Sequence, residues 1–223
     1  TGETPWIKSL IDRFHERASA NHTVILPACG FDSVPSDLGV WLLKQRGHSL
    51  EEVDVAFSIR GGLNGGTIAS ALNLAESAEA RLLGKRTLLC PDDHQLIEQP
   101  YDPRAVQWDP TRERWLVPFF MGPVNTRIVR RSAALLNYGE RFTYQEWMKM
   151  TSGVKARLTL GTLGLFNSGL KSWWGRKVIR LITPKPGRGP SQSTIDEGFV
   201  HAHFIHRREG VPQDVLTLSI KGR

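Results

Sequence analysis

The stretch LPACGFDSVPSDLG, residues 26–39, decides how the first part of the chain is read. Val24 to Ala28 is a short apolar run with the pattern of a buried strand. Gly30 lets the backbone leave that run sharply. A helix then starts near Val34, with Asp32 or Ser33 as its cap and Ser36 and Asp37 in its first turn, where negative charge suits the helix dipole. Capping alone accounts for these residues. A second reading puts the strand end at a crevice, where ligands of open α/β sheets bind, with Cys29, Phe31, Asp32 and Ser33 touching the ligand. No histidine is placed to activate Cys29 as a nucleophile.

Working outward, a first helix is expected from Thr4, which can cap it, with Pro5 in its first turn and Ile7, Leu10, Ile11 and Phe14 at helical spacing. Asn21-His22 ends it. The helix from Val34 carries Leu38, Trp41 and Leu42 on one stripe and stops at Gly47. Val53 to Arg60 alternates as a strand with one covered face, then enters GGLNGGT and a helix from Ile68 to Leu83. This alternation implies an α/β fold with a parallel or mixed sheet. Pro91 to Pro118 reads as a surface excursion with a hairpin at WDPTRERW. A helix is expected from Thr126 to Tyr138. Lys155 to Leu163 reads as a strand, Phe166 to Trp174 as a loop or broken helix, and Lys177 to Ile182 as a helical turn stopped by Pro184 and Pro186. PKPGRGPSQS has no regular pattern. Gly198 to Arg208 and Val215 to Ile220 form an antiparallel pair.

The chain has 223 residues, enough for one large or two small domains. No apolar run reaches the roughly 18 residues of a membrane span. Cys29 and Cys90 fit neither a disulfide framework nor a metal motif, so a reducing, cytoplasmic setting is expected. The opening TGETPW is not a leader, and residues upstream are expected. The net charge is +7, and no Asp or Glu occurs between Met148 and Ile195. Such a field attracts phosphates, nucleic acid or an anionic membrane surface. Nucleic acid is disfavoured, because helix-turn-helix, zinc-finger and arginine-rich patterns are absent.

Other candidates divide similarly. Gly65, Gly66 and Thr67 open a helix whose amides suit an anionic or carbonyl oxygen, or they form only a tight turn. Arg130 and Arg131 suit a phosphate or carboxylate. Alternatively, with Arg127, they form an exposed polar face or pair with Asp92 and Asp93. His201 and His203 share a strand face, with His206 on the other, and are read as polar-face residues rather than zinc ligands. Leu163, Leu165, Phe166, Leu170, Trp173 and Trp174 fit a core or protein interface, the wall of an acyl-substrate groove, or a peripheral membrane contact with Lys171, Arg176, Lys177 and Arg180 facing lipid phosphates.

Five motifs in order carry a resemblance: TGE at 1–3, CGFDSVPSDLG at 29–39, GGTIASA at 65–71, VRRSAALLNYGERFTY at 129–144 and PKPGRGPS at 184–191. Together they resemble the saccharopine dehydrogenase-like oxidoreductases, in particular the branch with trans-acting enoyl reductases of polyketide lipid synthesis. The resemblance implies a Rossmann-type domain that binds NAD or NADP and an α/β substrate domain with a large mixed or antiparallel sheet. It implies that residues 1–50 are part of the nucleotide-binding domain and 51–223 the substrate and dimerisation domain. Cys29, Gly30, Phe31, Asp32 and Ser33 would then contact cofactor. Gly65, Gly66, Thr67, Arg130, Arg131, Trp173 and Trp174 would contact an enoyl substrate of lipid or polyketide type. The glycine fingerprint of such a domain is missing, so the dinucleotide is not expected to bind tightly to this chain alone. Tyr138, Tyr144 and Ser33 are the candidate proton donors. The alternative is a non-catalytic module that binds an acyl lipid or a protein. The segment 24–28 is expected to be an orphan strand whose apolar neighbours are covered by self-association or a companion chain.

Overall fold

A computed structural model describes residues 3–47, 49–61, 65–183 and 191–221. It is an α/β fold with one six-stranded mixed sheet in the order β2-β3-β4-β1-β5-β6. Strand β1 (Glu52–Arg60) lies near the centre. It runs parallel to β4 (Thr143–Met150), with Val55 opposite Glu146, and antiparallel to β5 (Phe199–Arg208), with Val55 opposite Phe204. The expected hairpin is present as β2 (Gln107–Asp109) and β3 (Arg114–Pro118), which joins the sheet edge beside β4. Strand β6 (Val211–Lys221) pairs with β5 across Glu209-Gly210, both with positive φ, so it starts earlier than its sequence pattern implied.

One face of the sheet is covered. Val53, Val55, Phe57, Tyr144, Ala202 and Phe204 meet Val40 and Leu43 from helix α2 (Val34–Lys44) and Val129 and Ala133 from helix α4 (Gly122–Leu136). Gly39 sets the approach of α2: a Cβ there would sit 2.1 Å from the Phe204 ring. Helix α1 (Thr4–Ala20) packs Ile7 against Leu88 and Leu89, beside the 3-10 turn Ala78–Gly84. Helix α3 (Gly65–Glu76) is shorter than expected and gives way to that turn.

Several expectations are corrected. Glu3, not Thr4, is the cap residue of α1, and Thr4 is buried in its first turn. Residues 24–28 form no strand, and Val24, Ile25 and Leu26 are exposed. Their β-propensity finds no neighbouring backbone to pair with, and propensity alone does not make a strand. Leu38, Trp41 and Leu42 point outward, because the Gly39, Val40 and Leu43 stripe faces the core instead. The 155–163 strand and the 166–174 loop are one helix, α5 (Gly153–Lys171), which starts on a Ser152 side-chain cap accepting from the Lys155 amide. A break at Ser172 leads into α6 (Trp173–Ile182). The 91–118 excursion is not wholly superficial, since Gln99 is buried and donates to the Phe142 carbonyl at 2.7 Å. A short helix, α7 (Gln192–Asp196), precedes β5. The reading of 184–190, and that of Gly62, Leu63 and Asn64, lies outside the described residues. No helix among the described residues is long and apolar enough to cross a membrane.

Candidate functional site

The 29–37 turn is built from both local and distant contacts. The Ser33 and Val34 amides donate to the Gly30 carbonyl at 3.1 and 3.0 Å, which closes the turn. Ala28, just before it, has a φ of 57°, a left-handed conformation that costs a non-glycine residue about 1 kcal/mol or more. Ser33 occupies the cap position of α2, but its hydroxyl makes no capping bond. It donates to Asn125 Oδ1 at 3.0 Å instead, which corrects the expectation that Asp32 or Ser33 caps the helix through its side chain.

Asn125, in the first turn of α4, is the hub. Its Nδ2 donates to the Asp32 carbonyl at 2.9 Å and to Glu146 Oε2 at 3.0 Å, with Ser36 Oγ at a longer 3.3 Å. Tyr144 donates its hydroxyl to Glu146 Oε1 at 2.8 Å. Glu146 is fully buried on the core face of β4. Burial pushes its carboxyl up to about 7, against the pull of hydrogen bonds from Ser36, Tyr144 and Asn125. Burial also raises Asp37, with Ser132 as its hydrogen-bond partner, and burial with the nearby Asp37 charge pushes the Tyr138 hydroxyl well above its ordinary range. The result is a stiff polar support beneath an open loop. Cys29, Gly30, Phe31 and Asp32 stand in solvent above it, with Cys29 Sγ 3.3 Å from the Leu26 carbonyl. The candidate proton donors Ser33, Tyr138 and Tyr144 are all inside.

The arginines of α4 are neither an exposed face nor partners of Asp92 and Asp93, as the sequence had suggested. Arg127 is buried and clamps both oxygens of Asp102 at 2.6 Å through one nitrogen. Arg130 is buried and donates to the carbonyls of Tyr144 at 2.7 Å and of Arg86 and Pro100 at 3.1 Å. Burial and the neighbouring Arg127 charge push its guanidinium down to about 10, so it stays charged at neutral pH. Arg131 donates to the Leu89 carbonyl at 2.6 Å. These contacts tie the irregular 86–102 segment to α4 and β4, and no short-range pattern announces them.

The opposite face is covered only in part, with Ala56, Leu116 and Trp147 buried on it and α5 lying against β3 and β4. Arg112 places its guanidinium 2.6 Å from Asp54 and 2.5 Å from Asp109, and Arg207 also pairs with Asp54. The Arg112 Nε donates to His203 Nδ1 at 3.1 Å, so neutral His203 carries its proton on Nε2. Burial and the Arg112 and Lys149 charges push this imidazole down to about 4. A cavity of about 430 Å³ lies there, lined by Arg112, Arg114, Lys149, His203, Thr111 and Ser58. It is rich in donors and suits an anionic group. His201 and His203 do share this face, while His206 is buried and accepts from the Glu51 amide.

The remaining candidates lie elsewhere. Gly65, Gly66 and Thr67 open α3, with Gly65 buried and no acidic residue in the first turn. Trp173 and Trp174 stand exposed at the start of α6.

The sequence of the chain is similar to those of several curated proteins. A Mycobacterium tuberculosis protein, whose name assigns it provisionally to the trans-acting enoyl reductases, is 37% identical over 225 aligned positions, covering 89% of this chain and 54% of its own length. Proteins named trans-acting enoyl reductase from Mycobacterium bovis and Mycobacterium leprae are each 35% identical over 227 positions, with the same coverage. The chain thus spans about half the length of the curated relatives it matches. No family model matches the chain, and no solved structure does. At 35–37% identity over most of its length, the chain is a homologue of proteins named trans-acting enoyl reductases.

Proposed function

We propose that this chain is the substrate-side part of an NAD- or NADP-dependent enoyl reductase of the saccharopine dehydrogenase-like type, acting on a lipid or polyketide acceptor. The observation that carries this is the 35–37% identity across 89% of the chain. The loop Cys29–Asp32 offers an open backbone and the exposed Phe31 ring, with Asp37 in the first turn of α2. A carboxyl group there opposes a pyrophosphate and tolerates an uncharged ring. The described residues therefore fit the nicotinamide end of a dinucleotide and not its phosphates. In this reading, residues 1–50 face the cofactor half and 51–223 bear the substrate. The bound cofactor would supply a hydride to the β-carbon of the enoyl acceptor.

The chain's own contribution is positional. The Asn125–Glu146 hub holds the 30–33 turn, and the exposed Phe31 ring is the apolar surface this turn offers to a nicotinamide. Gly65, Gly66 and Thr67, at an acid-free helix start, are the donors proposed for the acceptor carbonyl as negative charge develops. Ser33, Tyr138 and Tyr144 are buried, so the proton for the α-carbon is proposed to come from water or from a group outside these three.

The test titrates NADPH and NADH against this chain and against a protein of the relatives' full length. Loss of reduced-nicotinamide absorbance is then followed with enoyl thioesters. Weak binding to the chain and acceptor-dependent oxidation by the longer protein are expected. Tight binding to the chain alone would overturn the assignment of the phosphate site. Absence of oxidation with every enoyl acceptor, in a longer protein that retains a bound acyl ligand, would favour a binding module.

A further inference from the structure

The α5–α6 hairpin presents an apolar surface that its own fold does not cover. Gly169 and Gly175 bring the two helices into backbone contact, since a Cβ on Gly175 would lie 2.4 Å from the Gly169 carbonyl oxygen. Ile179 packs inward with Ile68 and Leu72. Arg176 and Arg180 both reach Glu76 of α3, at 3.1 and 2.8 Å. These contacts fix the rotation of α6, and its other side is forced outward. Trp173, Trp174, Val178, Leu181 and Ile182 occupy that side and are 59%, 68%, 52%, 78% and 75% exposed. The ammonium of Lys177 sits 5.6 and 5.9 Å from the centroids of the two indole rings.

We propose that this face of α6 docks on an anionic lipid bilayer, independently of the catalytic reading above. The geometry is that of a helix lying in the membrane plane: indoles and aliphatic chains at the acyl boundary, lysines at headgroup level. Charge selects the occupant. The hairpin itself carries no acidic residue, since none occurs between Met148 and Ile195, and Glu76, the carboxylate beside α6, is already paired with Arg176 and Arg180. A second copy of the chain seated on this face would bring a second set of Lys177 cations and no carboxylate from the hairpin to balance them. Anionic headgroups complement them.

The test is flotation of the full chain with vesicles of phosphatidylcholine alone or with about one third phosphatidylglycerol. Brominated acyl chains serve as quenchers of tryptophan fluorescence. Co-flotation with the anionic vesicles, quenching, and loss of binding at high salt are expected. Leu181→Glu and the pair Trp173→Ala/Trp174→Ala should each weaken binding at least about tenfold, as loss of buried apolar area predicts. Lys177→Ala should weaken it about fivefold. Because these side chains are exposed, circular dichroism confirms that the variants remain folded. No flotation, or flotation indifferent to all three changes, overturns the proposal. So does a dimer, seen by light scattering, that Leu181→Glu abolishes, because the face then belongs to a second copy.

Discussion

On the covered face of the sheet, Glu146 is buried among neutral donors, whereas on the opposite face Asp54 and Asp109 are held by Arg112 and Arg207. The first arrangement leaves a carboxyl group that resists ionisation. The second stabilises ionised carboxylates at the cost of desolvating a guanidinium, and burial lowers Arg112 below its ordinary range. Two ways of placing acid inside one sheet therefore respond to opposite perturbations. Removing the cation harms the opposite face, whereas replacing the carboxyl by a neutral amide leaves the covered face almost unharmed.

The largest effect is expected from Arg112→Ala. It takes away the buried guanidinium shared by Asp54 and Asp109, leaving Arg207 as their remaining cation, and should cost about 3 kcal/mol in urea unfolding at neutral pH. A loss below about 1 kcal/mol would show that water already screens this network, and the contrast with Glu146 would collapse.

Glu146→Gln tests the other side through pH. Burial pushes the folded carboxyl up to about 7 from its ordinary 4.5, so between these values the folded state holds a proton that the unfolded state has released. Stability should therefore fall as pH rises from about 4.5 to about 7, by up to about 3 kcal/mol, and then level off. The glutamine variant should lack that fall, matching the parent near pH 4 and exceeding it above pH 7. Parallel pH profiles for the two proteins would show that Glu146 ionises normally.

Asn125→Ala removes the hub that joins Ser33, Asp32 and Glu146. A loss of about 2 kcal/mol is expected, with faster proteolysis or hydrogen exchange in residues 29–33 than in β1. Uniform exchange across both would deny that Asn125 supports the loop in particular. Glu76→Gln is the mildest change. Its pairs with Arg176 and Arg180 are partly exposed, and thermal unfolding should register less than about 1 kcal/mol.

Elements with their own periodicity were legible: α1, α2 (although it ends at Lys44, short of the expected Gly47 stop), β1, the hairpin between Trp108 and Trp115, and the β5–β6 pair. Strand β4 was not, because Glu146 sits at a core position and Gln145 and Lys149 occupy the other face, so neither face reads as apolar. Helix α5 was misread because Lys155 to Leu163 alternates and its glycines weaken the helical signal, while its packing against α3, α6 and β3 is invisible in one dimension. The helix start at Ser33 was readable. Its partner was not, since Asn125 lies 92 positions away and no local rule pairs them.

The register of β1 has a consequence for the order in which the molecule can be made. Its parallel neighbour β4 begins 91 positions later at Thr143, and its antiparallel neighbour holds Arg207 opposite Glu52. A ribosome emitting this chain therefore releases the central strand long before either flank exists. Through that interval Val53, Val55 and Phe57 have no sheet to join, and Gly39 waits for a phenyl ring not yet synthesised. Nascent chains of this topology are candidates for holding by chaperones until the last hairpin arrives, and their yield should depend on translation speed more than that of a helical bundle of equal size.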